Sequence, residues 1–296
     1  MTHVPVLLKE VIYYLDPKAN ENFIDATVGE GGHTMAILEK NKPKGKVLGI
    51  EMDSSIYKRL KEKTAKITKS KRLILINDSY LNLEEIVRKN NFQPVHGILF
   101  DLGMCSWHLD ESGRGFSYLR DEPLDMRFNP ENYLTAAEII NFWDIEEIEK
   151  ILKEFGEEKY GHRISLAVKE ARRKERIVGT QQLVNILKRV LPKNYDKKRI
   201  HFATRTFQAL RIAVNDELQV IKNGIERSIK ILEPGGKIVV ISFHSLEDRI
   251  VKNIFKEKAQ TGKLSILTKK PIMSCEEEIK NNSRSRSAKL RAAEKL

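Results

Sequence analysis

The sequence predicts an α/β fold, a doubly wound sheet interrupted by a helical insertion, on three observations. The first third of its 296 residues alternates short apolar runs with helical patterns, the alternation stops after about residue 106, and a strong strand signal returns in Gly235-Gly-Lys-Ile-Val-Val-Ile-Ser-Phe243. Short apolar runs bounded by turn residues are what strands buried on both faces present.

Taken in order, strands are expected near Phe23 to Ala26, Lys46 to Ile50, Leu73 to Ile76 and Gly97 to Phe100, with helices between them. Asp25-Ala-Thr-Val-Gly-Glu-Gly-Gly-His33 reads as a strand end, a glycine turn and a helix start. Glycines let backbone N–H groups approach an anion, and the positive end of the helix favours it. The plainer reading is a turn that needs glycine only for positive φ. Lys46-Val-Leu-Gly-Ile-Glu51 is a second buried strand whose closing carboxylate is spaced to grip ribose hydroxyls, against the plain alternative of a solvated loop acid. A dinucleotide site wants a third glycine where the pyrophosphate crosses, but Thr34 stands there behind the bulky His33. That favours S-adenosylmethionine over NAD, its methionine carboxylate facing the glycine turn and its ribose at Glu51.

Val95-His-Gly-Ile-Leu-Phe-Asp101 is a nearly continuous apolar run ending in an acid, as a central parallel strand would be. Ligands of open α/β sheets bind at the carboxyl ends of the strands, so Asp25, Glu51 and Asp101 are expected to converge on one cleft. Asp101 capping the turn at Leu102-Gly103 is the structural alternative.

Beyond residue 106, Ile148, Ile151, Leu152 and Phe155 recur at helical spacing, as do Leu183, Ile186, Leu187 and Val190. These are core positions of an inserted helical domain. The insertion is dense in cations, namely Arg163, Lys169, Arg172, Arg173, Lys174 and Arg176, then Lys188, Arg189, Lys193, Lys197, Lys198 and Arg199. Nucleic-acid contact is favoured over a merely solvated face. From Glu276 onward the chain is polar, and Arg284, Arg286, Lys289 and Arg291 read as a flexible basic tail that orders on phosphates.

Composition sets the limits. With 41% hydrophobic residues and no apolar run near the roughly 18 residues that span a bilayer, a globular chain with no membrane partner is expected. No signal-like apolar segment opens the chain, and the two cysteines, Cys105 and Cys275, form no CxxC, so a cytoplasmic protein without a disulfide framework or bound metal is expected. A net charge of +12 points to a polyanionic partner. A monomer or weak homodimer is the expected state.

Several ordered strings carry a family resemblance: His3-Val-Pro-Val-Leu-Leu8, Asp25 to His33, Asp101-Leu-Gly103, Arg114-Gly-Phe-Ser117, Leu124-Asp-Met-Arg127, Thr204-Arg-Thr-Phe-Gln-Ala-Leu-Arg-Ile212, Ser242-Phe-His-Ser-Leu-Glu-Asp-Arg249 and Arg284-Ser-Arg-Ser-Ala-Lys-Leu-Arg291. In these the chain resembles, nearly end to end, the bacterial RsmH (MraW) methyltransferases, which methylate the exocyclic N4 of a P-site cytidine in small-subunit ribosomal RNA. The resemblance implies a class I, Rossmann-like methyltransferase domain formed by residues 1–105 and 206–296, with an inserted helical RNA-recognition domain at 106–205. It implies S-adenosylmethionine as cofactor and rRNA within the small ribosomal subunit as partner. It further implies that Gly31, Gly32 and His33 hold the methionine end, Glu51 the ribose and Tyr80 the adenine, with Asp101 and His108 completing the pocket. The family usually follows Asp101-Leu-Gly and a hydrophobic residue with two serines, a proline and a glutamine. This chain has Cys105, Ser106, Trp107 and His108 there.

Methyl transfer is an in-line displacement from a sulfonium, so geometry matters more than strong catalytic groups. Cytosine N4 is a poor nucleophile because its lone pair is delocalised, and an acceptor for one N4 hydrogen would localise that pair and later take the proton. Asp101 is the candidate. Phe243 and His244 could line the cytosine pocket, the alternative being Phe243 in the core and His244 capping the next helix. Arg114, Arg127, Arg205 and Arg211 are candidate RNA contacts, with internal salt bridges to Asp125, Asp216 or Glu217 as the competing reading.

Overall fold

The computed structural model describes residues 5–192, 195 and 201–296. Lys193, Lys197, Lys198 and Arg199 of the expected basic stretch lie outside the described residues. The chain divides into two compact units, Met1–Gly103 with Leu218–Leu296, and Met104–Glu217.

The first unit opens with helix α1 (Leu8–Leu15), then alternates β1 (Phe23–Asp25), α2 (Gly32–Lys40), β2 (Val47–Glu51), α3 (Ser54–Lys63), α4 (Ala65–Lys69), β3 (Leu73–Asn77), α5 (Leu83–Lys89) and β4 (Gly97–Asp101). Each strand falls within one residue of its sequence expectation. Alternation within β4 shows why an apolar run is needed, since Ile98 and Phe100 face one core while Leu99 faces the other. Asp53 starts α3, its side chain accepting the Ser55 N–H at 2.9 Å.

The second unit contains α6 (Ser106–Asp110), α7 (Ala136–Phe142), α8 (Ile145–Glu154), α9 (Gly161–Lys174), α10 (Thr180–Val190) and α11 (Thr204–Asn215). Thr135 and Glu138 form a reciprocal cap on α7. Of the apolar stripes read from sequence, Ile148, Ile151 and Leu152 of α8 meet Leu183 and Leu187 of α10 in one buried core, with Phe155, Ile186 and Val190 partly buried against it. Expected to end at residue 205, this unit continues through α11 to Glu217, because Phe207 and Leu210 insert into the same core.

The chain then forms α12 (Glu217–Ile231), β5 (Lys237–Ser242), α13 (Ser245–Gln260), β6 (Leu264–Ile266), β7 (Ile272–Met273), α14 (Glu276–Asn281) and β8 (Lys289–Lys295). The sheet order is β3-β2-β1-β4-β5-β8-β6, with β7 also on β8. β3, β2, β1, β4 and β5 are parallel, whereas β8 is antiparallel to β5, β6 and β7. This is a doubly wound sheet in which strand order reverses between β1 and β4, the place where such sheets bind ligands.

The polar tail is therefore ordered, contrary to the sequence expectation. Leu290, Ala292 and Ala293 are wholly buried, and Arg291, 8% exposed, donates from Nε and Nη2 to the two oxygens of Asp248 at 2.6 and 3.2 Å. The small alanines fit between sheet neighbours, and the buried cation is compensated by a bidentate carboxylate.

Candidate active site

The carboxyl ends of β2, β1 and β4, adjacent in the sheet, carry Glu51, Asp25 and Asp101. The chain leaves β1 through Gly29 and Gly31, at φ values of 50° and 84° that L side chains rarely adopt. A Cβ on Gly31 would stand 2.8 Å from Leu60 Cδ1, and one on Gly32 would stand 2.6 Å from Pro5 Cγ. The turn is thus fitted to residues without side chains, and it delivers the chain into the N-terminus of α2 as an anion cradle requires.

Thr34, standing where a dinucleotide site has its third glycine, is wholly buried and donates its hydroxyl to Asp25 Oδ2 at 2.6 Å. Asp25 is held above the ordinary carboxylate range by burial, against the opposing Thr34 hydrogen bond. Thr27 ties the neighbouring strand in, its Oγ1 accepting the Asp101 N–H at 2.7 Å. Sequence reasoning missed both threonines as site builders. An acid nine residues before a threonine across a glycine turn is the only signal that could have suggested the Asp25 pair.

Glu51 is pushed up to about 7 by burial, opposed by the backbone N–H of Asp53 and raised further by the Asp53 carboxylate. Its Oε1 accepts that Asp53 N–H at 2.9 Å and its Oε2 the Gly29 N–H at 3.1 Å. Each oxygen keeps a second lone pair, so the carboxylate can order the turn and still accept ribose hydroxyls. Tyr80 packs edge-on against Phe100, with ring centroids 5.3 Å apart, and occupies the space a side chain at Gly224 would need.

His33 is 6% exposed, and its Nε2 lies 3.6 Å from Asp101 Oδ2. Both ring nitrogens and Asp101 Oδ1 are buried without a hydrogen-bond partner among the described residues. Such atoms in a native site call for a ligand or a chemical task. A glycine-lined helix start, a carboxylate with spare acceptor capacity and unpartnered polar atoms between them together fit a nucleoside with an amino-acid tail.

Phe243 and His244 follow β5 beside this cleft. Phe243 Cδ2 would lie 3.7 Å from a Cβ on Gly103 and packs against the sheet core. His244 caps α13 as the structural alternative required, Nδ1 accepting the Glu247 N–H at 3.4 Å, while Nε2 lies 3.1 Å from Glu247 Oε1. Arg284 and Arg286 are exposed on a 3-10 turn spanning Ser283–Ser287.

The second unit places the remaining candidates. His108 is buried at 5% exposure with its ring centroid 5.0 Å from those of both Phe116 and Phe128, and its Nδ1 lies 3.3 Å from Cys105 Sγ. The arginines depart from the expectation of free RNA contacts. Arg211, 8% exposed, makes a bidentate pair with Glu217 at 2.7 and 2.9 Å. Arg127 makes another with Asp125 at 2.8 and 2.6 Å. Arg114 donates to the carbonyls of Arg127 and Phe128, and Arg205 to that of Glu157. The salt-bridge alternative holds for Asp125 and Glu217 because a guanidinium is buried only with partners that satisfy its fork. Of the insertion's cations, Arg172 turns inward to the carbonyls of Ile140 and Trp143, whereas Arg163, Arg173, Lys174, Arg176, Lys188 and Arg189 are exposed.

A sequence profile described as the MraW methylase family matches residues 1–296. The chain is 45% identical over 294 residues to the ribosomal RNA small subunit methyltransferase H of Persephonella marina, covering 99% of each chain. It is 43% identical over 311 residues to the protein of the same name from Halothermothrix orenii, covering 100% of this chain and 99% of that one. Among solved structures, an rRNA methylase from Streptococcus thermophilus is 11% identical with a TM-score of 0.47, covering 100% of this chain and 99% of that one.

Proposed function

Given that the chain belongs to the MraW methylase family, we propose that it transfers a methyl group from S-adenosylmethionine to the exocyclic N4 of a P-site cytidine in small-subunit rRNA. The observation that carries this reading is Asp101, whose buried Oδ1, without a hydrogen-bond partner among the described residues, stands at the end of β4 beside the glycine turn. An amine nucleophile needs an acceptor of this kind. Drawing on one N4 hydrogen, Asp101 keeps the lone pair on nitrogen and takes the proton once the new bond has formed.

The cofactor, when bound, supplies a methyl carbon on a sulfonium. Gly31, Gly32 and His33 would hold its methionine end at the start of α2, Glu51 its ribose and Tyr80 its adenine side. Phe243 supplies an aromatic face for the extruded cytosine. The exposed Arg163, Arg173, Lys174, Arg176, Lys188 and Arg189, with Arg284 and Arg286, hold the phosphate backbone.

The test is methyl transfer from labelled S-adenosylmethionine to small subunits lacking the modification, followed by nucleoside digestion and mass spectrometry. N4-methylcytidine formed by the wild type and not by Asp101→Ala supports the reading. Cofactor binding without product would make the chain a noncatalytic RNA-binding assembly factor, and a different methylated nucleoside would reassign the substrate.

A further inference from the structure

The unpartnered atoms of the site are not distributed at random. His33 Nδ1 and Nε2 and Asp101 Oδ1 are all buried without hydrogen bonds among the described residues, and the two side chains approach to 3.6 Å. Polar atoms are rarely left this way inside a protein, and here three belong to one acid and one base. The other carboxylates that act on the ring are Asp25 on β1 and Glu278 on α14. Asp25 is engaged by the Thr34 hydroxyl at 2.6 Å and the Thr27 N–H at 3.3 Å, and Glu278 Oε1 accepts the Leu7 N–H at 2.7 Å. Of the three acids, only Asp101 has a buried oxygen without a partner among the described residues.

We propose that His33 is a positioning residue that receives, through Asp101, the proton released from the amine during methyl transfer. The inference rests on the reading of Asp101 as the N4 acceptor. As the nitrogen–carbon bond forms and the carbon–sulfur bond breaks, the electron pair of the latter stays on sulfur and the nitrogen carries one proton too many. Asp101 takes that proton and passes it to His33. Asp101 is thereby an anion again, the ring is an imidazolium beside it, and the positive charge lost from sulfur has moved to histidine. Solvent takes the proton when the products leave.

The relay fixes the sense of the pH dependence, because the ring must start neutral. Burial works against the charged ring, but the carboxylates of Asp101, Asp25 and Glu278 outweigh it and hold His33 above the ordinary histidine range. The rate therefore rises with pH through an ionisation above about 6.5.

The deciding experiment measures kcat at saturating cofactor and small subunits between about pH 5.5 and 9 for the wild type and His33→Gln, reading N4-methylcytidine by mass spectrometry. The expected result is a kcat about 100-fold lower in the variant, with the acid limb lost. An unchanged acid limb in His33→Gln overturns the relay, as does a wild-type rate that falls while the ring deprotonates. Where His33→Gln does not fold, a histidine-selective NMR titration of the wild type and Asp101→Asn replaces it. A His33 pKa that drops in Asp101→Asn supports the coupling, and one that does not move overturns it. Absence of N4-methylcytidine from the wild type is a separate outcome that removes the substrate reading and the relay with it.

Discussion

Replacing Glu51 by glutamine gives the most quantitative test of the cofactor cleft. Burial lifts this carboxyl from the ordinary 4.5 to about 7, so the folded chain still holds the proton at pH values where the unfolded chain has lost it. Folding stability consequently falls as pH rises from 4.5 towards 7, by roughly 3 kcal/mol from this group. Ribose hydroxyls that donate to the carboxylate favour its ionised form and run the other way. With a pKa of about 7, roughly a tenth of the groups are ionised at pH 6 and roughly nine tenths at pH 8. Affinity for S-adenosylhomocysteine should rise about tenfold across that interval, measured by isothermal titration calorimetry. Glu51→Gln should bind weakly and without that slope. Its single carbonyl oxygen can serve only one of the Gly29 and Asp53 N–H groups, which leaves the other unsatisfied at a cost of about 1–3 kcal/mol. A wild-type affinity that is flat between pH 6 and 8, or a variant that keeps the slope, would refute the assignment of Glu51 to the ribose.

Thr34→Val removes the hydroxyl bonded to Asp25 while keeping its volume, and should cost about 1.5–3 kcal/mol in urea unfolding. Arg211→Ala leaves Glu217 buried without its bidentate partner, so thermal melting should report a loss of about 3–5 kcal/mol. An intact melting curve with weakened RNA binding would restore Arg211 as an RNA contact. Ala292→Asp places a charge at a wholly buried position of β8 opposite Val239, and should abolish soluble, cofactor-binding protein, whereas Arg286→Ala on the exposed turn should leave melting unchanged.

The parts of this fold that were legible in the sequence are those in which one physical demand dominates a stretch of chain. β2 and β4 had to be apolar because helices cover both faces, and the glycine turn had to be glycine because of its dihedral angles and the side chains of Leu60 and Pro5. β8 was illegible for the opposite reason. Its burial is made from alanines and an arginine paired with Asp248, forty-three residues earlier in the chain, and no local pattern announces that partner. Arg127 and Arg211 were ambiguous for a different reason, since their type suggested phosphate while neutralising acids lie close in sequence. Asp125 and Glu217 were recognisable as competitors, but only packing decides between solvent and a buried fork. Asp25, Glu51 and Asp101 were legible as strand-end acids. Their differences in hydrogen bonding, on which the chemistry depends, come from Thr27, Thr34 and Asp53 in the intervening turns.

The position of β8 between β5 and β6 also orders events during synthesis. The helical unit is one continuous stretch and can complete its core as soon as α11 has left the ribosome. The sheet cannot, because β5 and β6 have no common neighbour until Lys289–Lys295 has been made. At about 10 residues per second, several seconds separate the appearance of β5 from that of the strand that covers its open edge. Throughout that interval the nascent chain presents Val239 and Ile241 on a strand paired to β4 on one side and open on the other, the kind of edge that recruits other chains. Folding yield should therefore depend on how quickly the final strand is delivered, and slow codons between β6 and β8 would lower the yield of active protein without changing one residue of it.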